Sequence, residues 1–381
     1  MIQTQPISIF DSFPRDCWLQ INVAQLAENV RRLQAHIGRP ALVVVKGNGY
    51  GHGYEHAARA FLKGGARYLG VANLAEGLAL RYAGIDAPVL ILGGILPHDM
   101  APAAAANLEF IVFRPDHIAA LREMPKGVSP IRVHIKVDTG MGRLGCAPHE
   151  VAALAQAITG IPGVHFAGLS THFAVASIPG NEHTSAQIDC FDQAIASLTA
   201  AGIRPDIIHA ANSNGALYHP RSLYDMVRLG MIAYGVRSSM SEGTTVPEGV
   251  KPALTWHARI TSSKIMPKGS SVSYGCEYLM KQDSRIGIVP VGYADGFRRL
   301  PKNVNTVLIE GQEYPTCGRI TRDQSMIDLG NMLDMTGAEV VLLGKQGNKE
   351  ITARDLAARW DDNVHSIFSS IPFRVPRRVT Q

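Results

Sequence analysis

No two of the five cysteines (Cys17, Cys146, Cys190, Cys276 and Cys317) stand in a C-x-x-C pair, and their number is odd. That excludes a disulfide framework and a zinc knuckle and fits a reducing compartment. No apolar stretch approaches the roughly 20 residues of a membrane span, and MIQTQPISIFDSFPRDCWLQ lacks the basic-then-apolar order of a secretory signal. We therefore expect a cytoplasmic protein with no membrane partner and no bound metal. Charge is sparse too: 18% of residues are charged, for a net +5. Short basic clusters occur at Arg298-Arg299 and from Arg374 to Arg378. Without a basic stripe interleaved with aromatics, no nucleic-acid partner is expected, and the C-terminal cluster reads as a solvated or phosphate-facing tail. The glycine loop at 47–53 matches neither phosphate-loop pattern. No G-x-x-x-x-G-K-[ST] occurs, and G-x-G-x-x-G fails at His52 counted from Gly47 and at Tyr54 counted from Gly49.

What remains is an apolar-rich chain of 381 residues, long enough for two domains. From Trp18 to Gly235 short apolar runs alternate with amphipathic stretches, as in Val23–Ile37 with Leu26, Val30 and Leu33 on one face. Repeated strand–helix units imply parallel strands with helical crossovers. About eight such units make a (β/α)8 barrel; a doubly wound sheet is the alternative. The barrel demands that functional residues gather at strand C-termini, and Lys46, Asp138, His172, His209 and Arg228 all follow or end apolar runs. After Val246 the chain changes to alternating segments split by Gly, Pro and Asn turns, a mostly antiparallel β-domain. The expected division is a barrel over 14–246 and a β-domain over 247–381, with 1–13 adding a strand at Ile7–Phe10.

The most informative stretch is Ala41–Gly53, ALVVVKGNGYGHG. An uncharged, β-branched run reads as a strand buried on both faces. Lys46 follows it. A lysine leaving a core is partly desolvated, which favours the neutral, nucleophilic amine that a Schiff-base lysine needs. Gly47, Gly49, Gly51 and Gly53 allow positive φ and close approach of the backbone to a ligand. On position alone, a lysine that merely reaches its ammonium into water is the blander reading.

The wider set decides between them. In order it runs Lys46-Gly-Asn-Gly-Tyr-Gly-His-Gly53, Lys136-Val-Asp-Thr-Gly-Met-Gly-Arg-Leu-Gly145, Thr171-His-Phe-Ala174, His209-Ala-Ala-Asn-Ser-Asn214, Val227-Arg-Leu-Gly230, Ser273-Tyr-Gly275 and Gly292-Tyr-Ala-Asp-Gly296. This ordered set resembles the alanine racemases, which are pyridoxal 5'-phosphate (PLP) enzymes built from a barrel and a β-domain. The resemblance implies a homodimer that interconverts L- and D-alanine. It makes Lys46 the lysine that holds PLP, and assigns the phosphate to Tyr50, Ser213, Gly230 and Met231. Arg228 would face the pyridine nitrogen and His209 would lie against the ring. Tyr274 would be the second base, acting in trans, with Arg143 orienting it and the substrate carboxylate. His172 would link Tyr274 to Arg228, Tyr293 would stand at the entrance, and Lys136 matches a lysine that is carbamylated in some members.

The chemistry calls for these residue types. Two bases on opposite faces of the α-carbon favour inversion. A tyrosine, with an ordinary pKa of about 10, must be shifted down by nearby cations to serve as one. An arginine at the ring nitrogen donates a hydrogen bond without giving up its proton. That keeps the electron sink weak and argues for racemisation over transamination.

Departures from the family pattern touch substrate more than chemistry. Gly47 and Gly49 stand where many members have alanine. Thr321-Arg322-Asp323-Gln324 replaces Cys-Met-Asp-Gln, so the backbone amide of Arg322 should still reach the substrate carboxylate while its side chain adds charge. Phe373 stands where some members have tyrosine. Serine or a broader set of amino acids is the alternative substrate. A fold-related PLP decarboxylase using Cys276, or a non-catalytic PLP carrier, fits less well. Asp138 has the bland alternative of capping a loop, and Asp295, Arg374 and Arg377 read as structural.

Overall fold

A computed structural model describes residues 14–124, 130–237, 245–300 and 304–381. The expected strand at Ile7–Phe10 lies outside the described residues. The chain gathers into two compact units. One holds the segment up to Val23, Tyr50–Gly53 and Pro252–Gln381; the other holds Ala24–Gly49 and Tyr54–Lys251.

The first strand, β1 (Cys17–Asn22), is followed by the eight strands of the larger unit. These are β2 (Ala41–Val44), β3 (Tyr68–Val71), β4 (Val89–Ile91), β5 (Glu109–Val112), β6 (Ile131–Lys136), β7 (Val164–Ser170), β8 (Ile207–His209) and β9 (Val227–Leu229). They lie side by side in chain order, every neighbouring pair parallel, and β9 returns to pair with β2. That circular order is a barrel and excludes the doubly wound sheet. At the remaining seam, Ile208 N donates to Asp225 Oδ2 at 2.8 Å, Asp225 N to Ile208 O at 3.0 Å and Arg228 N to Ala211 O at 2.9 Å. The seam is thus closed by side chain and loop rather than by a strand ladder.

The strand residues are those that suit a surface covered on both sides. All four residues of β2, and Val45 after it, are buried. Helices cover the outside through the apolar stripes seen in the sequence: Val23–Ile37 buries Leu26, Val30, Leu33 and Ile37, and Glu182–Ala200 buries Ile188, Phe191, Ala194 and Leu198. The longer helix starts at Asn181, whose side chain accepts from Thr184 N.

The smaller unit is mostly antiparallel. Its largest sheet is built on β1, which pairs antiparallel with Leu254–Arg259 and parallel with Arg377–Thr380. The first apolar run, Trp18–Ile21, therefore enters this sheet and not the barrel. Locally it looks like any barrel strand; its partners lie more than two hundred residues along the chain. The C-terminal basic cluster also differs from the solvated tail expected. Arg377 is buried and donates to the carbonyls of Gly51, Ile371, Pro372 and Val375, while Arg374 pairs with Asp295 and Asp323.

Past Val45 the backbone enters an unusual turn. Gly47, Asn48, Gly49 and Tyr50 all take left-handed φ, at 61°, 56°, 60° and 46°. One turn of left-handed backbone costs roughly 1–2 kcal/mol at each residue bearing a Cβ, so glycine at 47 and 49 removes that cost from half of it. The two glycines differ in surroundings. A Cβ on Gly47 would meet nothing within 4 Å, whereas one on Gly49 would stand 3.0 Å from the Ala57 Cβ. Gly47→Ala is expected to destabilise the fold by about 1 kcal/mol from backbone strain alone, and Gly49→Ala by more. Urea unfolding of the two variants checks the order, and equal stabilities would contradict it.

Candidate active site at the C-terminal end of the barrel

Five of the eight barrel strands deliver a basic side chain within or just past them. Lys46 follows β2, Lys136 ends β6, His172 follows β7 and His209 ends β8. Arg228 stands in β9, directly opposite Leu42 of β2, the strand that Lys46 follows.

Arg228 is the most heavily bonded of these. It is buried, and burial draws it down to about 10, which leaves it protonated at neutral pH. Nη1 donates to His209 Nδ1 at 3.0 Å and His209 O at 2.8 Å. Nη2 donates to Thr171 O at 2.6 Å, Ala210 O at 2.7 Å and His172 Nδ1 at 3.2 Å. A guanidinium can only donate, so both histidines turn lone pairs toward it. Burial first, then the positive charges of Arg228, Lys136, Arg143 and Lys46, push His172 down to about 2. Burial, Arg228, His134 and Lys136 hold His209 well below its ordinary value. Both rings are therefore neutral acceptors at physiological pH.

The lysines respond to the same field. Burial and the Arg143 charge lower Lys46, with Glu76 partly opposing them. Burial, Arg228 and Arg143 lower Lys136 strongly. Four basic side chains thus converge with few acids to neutralise them, an arrangement suited to anionic groups such as phosphate and carboxylate. Glu76 also shapes the lysine loop: Oε1 accepts from Gly47 N at 2.9 Å and Oε2 from Ala72 N at 2.7 Å.

Ser213 opens the short helix Ser213–Tyr218, and its Oγ accepts from Gly230 N at 2.9 Å. Gly230 in turn leads into the 3-10 turn Met231–Tyr234. A hydroxyl and the backbone amides at 230 and 231 are thereby brought together beside a small cavity lined by Ser213, Asn214, Tyr218, Ile232 and Arg237. This donor set fits a phosphate group. Asp138 does what its bland alternative implied. Its carboxylate accepts from the amides of Gly140, Met141, Gly142 and Arg143 at 2.8–3.2 Å, and so shapes the loop that carries the exposed Arg143. Burial opposes ionisation there, but the four amides outweigh it and keep Asp138 below the ordinary carboxylate value.

In the smaller unit, Tyr274 is 69% exposed on a turn where Ser273, Gly275 and Cys276 all have positive φ, at 68°, 80° and 51°. Arg319 clasps that turn from both sides: its carbonyl accepts from Ser273 Oγ at 2.6 Å, and its guanidinium pairs with Glu277. Tyr293 and Arg322 form one backbone platform. Tyr293 N donates to Thr321 O at 3.1 Å and Ala294 N to Arg322 O at 3.0 Å. A Cβ on Gly292 would lie 2.3 Å from the Arg322 carbonyl oxygen, so only glycine allows this contact. Buried Asp295 pins the platform by pairing with Arg15 at 2.7 Å and Arg374 at 2.9 Å, which gives the structural reading of Asp295 and Arg374 its form. Tyr50 belongs to this unit, its ring edge-on to His365 at 6.1 Å between centroids. Phe373 is 43% exposed.

Two members of the barrel network escaped the motif reading: Glu109, which begins β5, and His134, within β6. The signal was present in Ile131-Arg-Val-His-Ile-Lys136, whose three basic residues alternate and so share one strand face. Among the described residues no group of three or more His, Cys, Asp or Glu could hold a metal ion.

A parallel barrel with a recessed lysine, a buried arginine and a phosphate-type cradle at its C-terminal end, joined to a β-domain, defines a class of α/β-barrel enzymes handling anionic substrates. The model of the alanine racemase N-terminal domain matches residues 21–238 and that of the C-terminal domain 253–379. The alanine racemase of Symbiobacterium thermophilum is 41% identical over 366 residues, covering 95% of this chain and 97% of its own. That of Geobacillus kaustophilus is 38% identical, covering 96% and 95%. Among solved structures, alanine racemase from Bacillus anthracis with bound L-Ala-P superposes with a TM-score of 0.91 at 34% identity, covering 97% of this chain and 96% of its own. A histidine racemase from Leuconostoc mesenteroides superposes at 0.87 with 27% identity, covering 98% and 100%. The chain belongs to the alanine racemase family.

Two measurements test the site. In the cofactor-free protein, the pH profile of Lys46 acylation, read by peptide mass spectrometry, should lie below the ordinary lysine value of about 10.4. A profile matching that of surface lysines would contradict the recessed setting. Asp138 has a depressed folded pKa, so its contribution to stability is complete above about pH 4 and is lost as pH falls through the folded value. Asp138→Ala should therefore lose stability at neutral pH and narrow its gap to the parent protein in acid, as followed by thermal unfolding between pH 2 and 7.

Proposed function

We propose that this chain is a PLP-dependent alanine racemase that inverts the α-carbon with Lys46 and Tyr274 on opposite faces. The observation that carries the reading is the pairing of a recessed Lys46 amine with a buried Arg228, on neighbouring strands at one barrel end. Bound PLP supplies an aldehyde that condenses with amines and a ring that spreads the negative charge left when an α-proton departs. The chain's residues do the rest. Lys46, its ammonium disfavoured by burial and by Arg143, holds the aldehyde carbon and serves as one base. Ser213 and the amides of Gly230 and Met231 receive the phosphate, with Tyr50 adding a hydroxyl. Arg228 keeps its proton; its Nη hydrogens are taken by the groups above, so Nε–H is the donor it would turn to the pyridine nitrogen, and the ring would draw little charge from the α-carbon, which makes proton return fast. His209 would lie against the ring.

The second base is assigned to Tyr274 of the partner subunit. A phenol 69% exposed on a turn with three positive-φ residues is presented outward at some conformational cost, and a homodimer gives that cost a use. Arg143 would orient this phenol and the substrate carboxylate, and His172 would carry its hydrogen bonding on to Arg228. The Arg322 amide and Tyr293, held on their common platform, are assigned to carboxylate binding and the entrance. Lys136, strongly lowered and beside Arg143, suits carbamylation, since only a neutral amine adds to carbon dioxide. Cytoplasmic residence fits five unpaired cysteines; no described helix is long and apolar enough to cross a membrane. The bounds 14–246 for the barrel and 247–381 for the β-domain are kept as a proposal, with the exception of β1, which pairs with strands of the smaller unit.

The experiment is direct. The purified protein should show a visible-edge absorbance band that borohydride removes, leaving a pyridoxyl mass on the Lys46 peptide, and it should racemise either alanine enantiomer. Tyr274→Phe should keep the band and lose racemisation in at least one direction by roughly 10²–10⁴-fold. Unchanged rates in both directions would remove Tyr274 from the reaction, and carbon dioxide release would favour the decarboxylase alternative.

A broader substrate range has its own support. The space beside Gly47 is open, Arg322 adds exposed charge, and a fold relative is named for histidine. Comparing kcat/KM for alanine, serine, lysine, arginine and histidine decides this, and strict alanine preference would end it.

A further inference from the structure

The barrel interior holds a file of polar side chains of which the chemistry above uses only His209. His134 and His209 are fully buried, and Glu109 nearly so. Such groups are costly in a core unless their polar atoms are paired. Here the pairing admits one proton arrangement. Arg228 Nη1 has only hydrogen to offer His209 Nδ1, so that nitrogen carries a lone pair and the ring hydrogen sits on Nε2. His209 Nε2 lies 3.0 Å from His134 Nδ1, which must accept. His134 then carries its hydrogen on Nε2 and donates to Glu109 Oε2 at 2.7 Å. Glu109 Oε1 takes Arg132 Nε at 2.8 Å and the Tyr68 hydroxyl at 3.3 Å. A doubly protonated His134 would set hydrogen against hydrogen at His209, or force one onto His209 Nδ1 against the guanidinium.

The barrel makes room for this file. A Cβ on Gly168 of β7 would lie 2.0 Å from His134 Nδ1. The β6–β7 register shifts at the same place, Val133 facing Phe166 and His134 facing Gly168. A bulge and a missing side chain together seat the ring. Arg228 itself makes its hydrogen bonds to two imidazoles and three carbonyls. The carboxylate joined to it by hydrogen bonds is Glu109, two rings away.

We propose that Glu109 and His134 are positioning residues for Arg228, holding His209 in the tautomer whose lone pair fixes the guanidinium. Hydrogen-bond chains of one direction polarise each member, so the Glu109 carboxylate also tempers the arginine that meets the ring nitrogen. The effect on the reaction rests on the racemase reading above; the tautomers do not.

The test has two arms on the holoenzyme. With ¹⁵N-histidine labelling, two-bond proton–nitrogen correlations at about pH 7 should show both rings neutral with hydrogen on Nε2. A doubly protonated ring, or hydrogen on Nδ1 of either, overturns the proposal. In the second arm, Glu109→Gln should shift the pH titration of the bound cofactor's absorbance. It should lower kcat by about tenfold, on the scale of lost carboxylate–histidine support, with KM nearly constant and partial recovery in Glu109→Asp. Asp206→Asn, beyond Arg132 in the same network, should leave all three unchanged. A merely structural Glu109 would lower Tm and move neither spectrum nor kcat, which overturns the proposal. If Glu109→Gln does not fold, the tautomers of the parent protein decide. A parent protein that binds no PLP refutes the racemase reading instead, and its histidine tautomers can still be read.

Discussion

A single buried cation organises the larger unit. Arg228 stands inside a barrel with five hydrogen bonds and no carboxylate in direct contact. Taking a guanidinium out of water costs several kcal/mol, and carbonyls of Thr171, His209 and Ala210 return part of it only if the segments after β7 and β8 curl inward. The seam between β8 and β9, where no strand ladder forms, is shaped by that demand. So are the neutral states of His172 and His209, since each must offer a lone pair to an all-donor neighbour.

The same demand explains why the site is cationic without being loosely so. Burial lowers Lys46 and Lys136, the Arg143 charge adds to it at both and Arg228 at Lys136, while the acids nearby are spent on backbone: Asp138 on four amides and Glu76 on two. Acidic groups therefore set loop geometry while basic groups remain to meet a ligand. An anion entering such a site gains attraction from charges already held in place, so little reorganisation accompanies binding.

Much of this was legible in the sequence because it is written locally. β-Branched runs gave the barrel strands, an apolar stripe gave Val23–Ile37 to the residue, and the glycines after Lys46 announced the left-handed backbone. Long-range information was harder to read. β1 resembles a barrel strand and differs only in its partners. Arg377 looks like part of a charged tail, yet four carbonyls surround it. Glu109 and His134 are single polar residues within apolar runs, and only the alternation of Arg132, His134 and Lys136 hints that one strand face looks inward. Asn48 and Tyr50 follow the left-handed turn because the glycines beside them commit the chain to it, which no propensity of their own would suggest.

The platform formed by Gly292–Asp295 and Thr321–Arg322 carries a consequence for how this protein can vary. Its amide groups are fixed by main-chain bonds and by an interior aspartate gripped by two arginines, while the Arg322 side chain is free of those duties. On the roles proposed above, recognition of a carboxylate by the main chain and discrimination among side chains by residue 322 would be mechanically uncoupled. Sequence drift at that one position would then retune preference without disturbing how the group common to every amino acid is held.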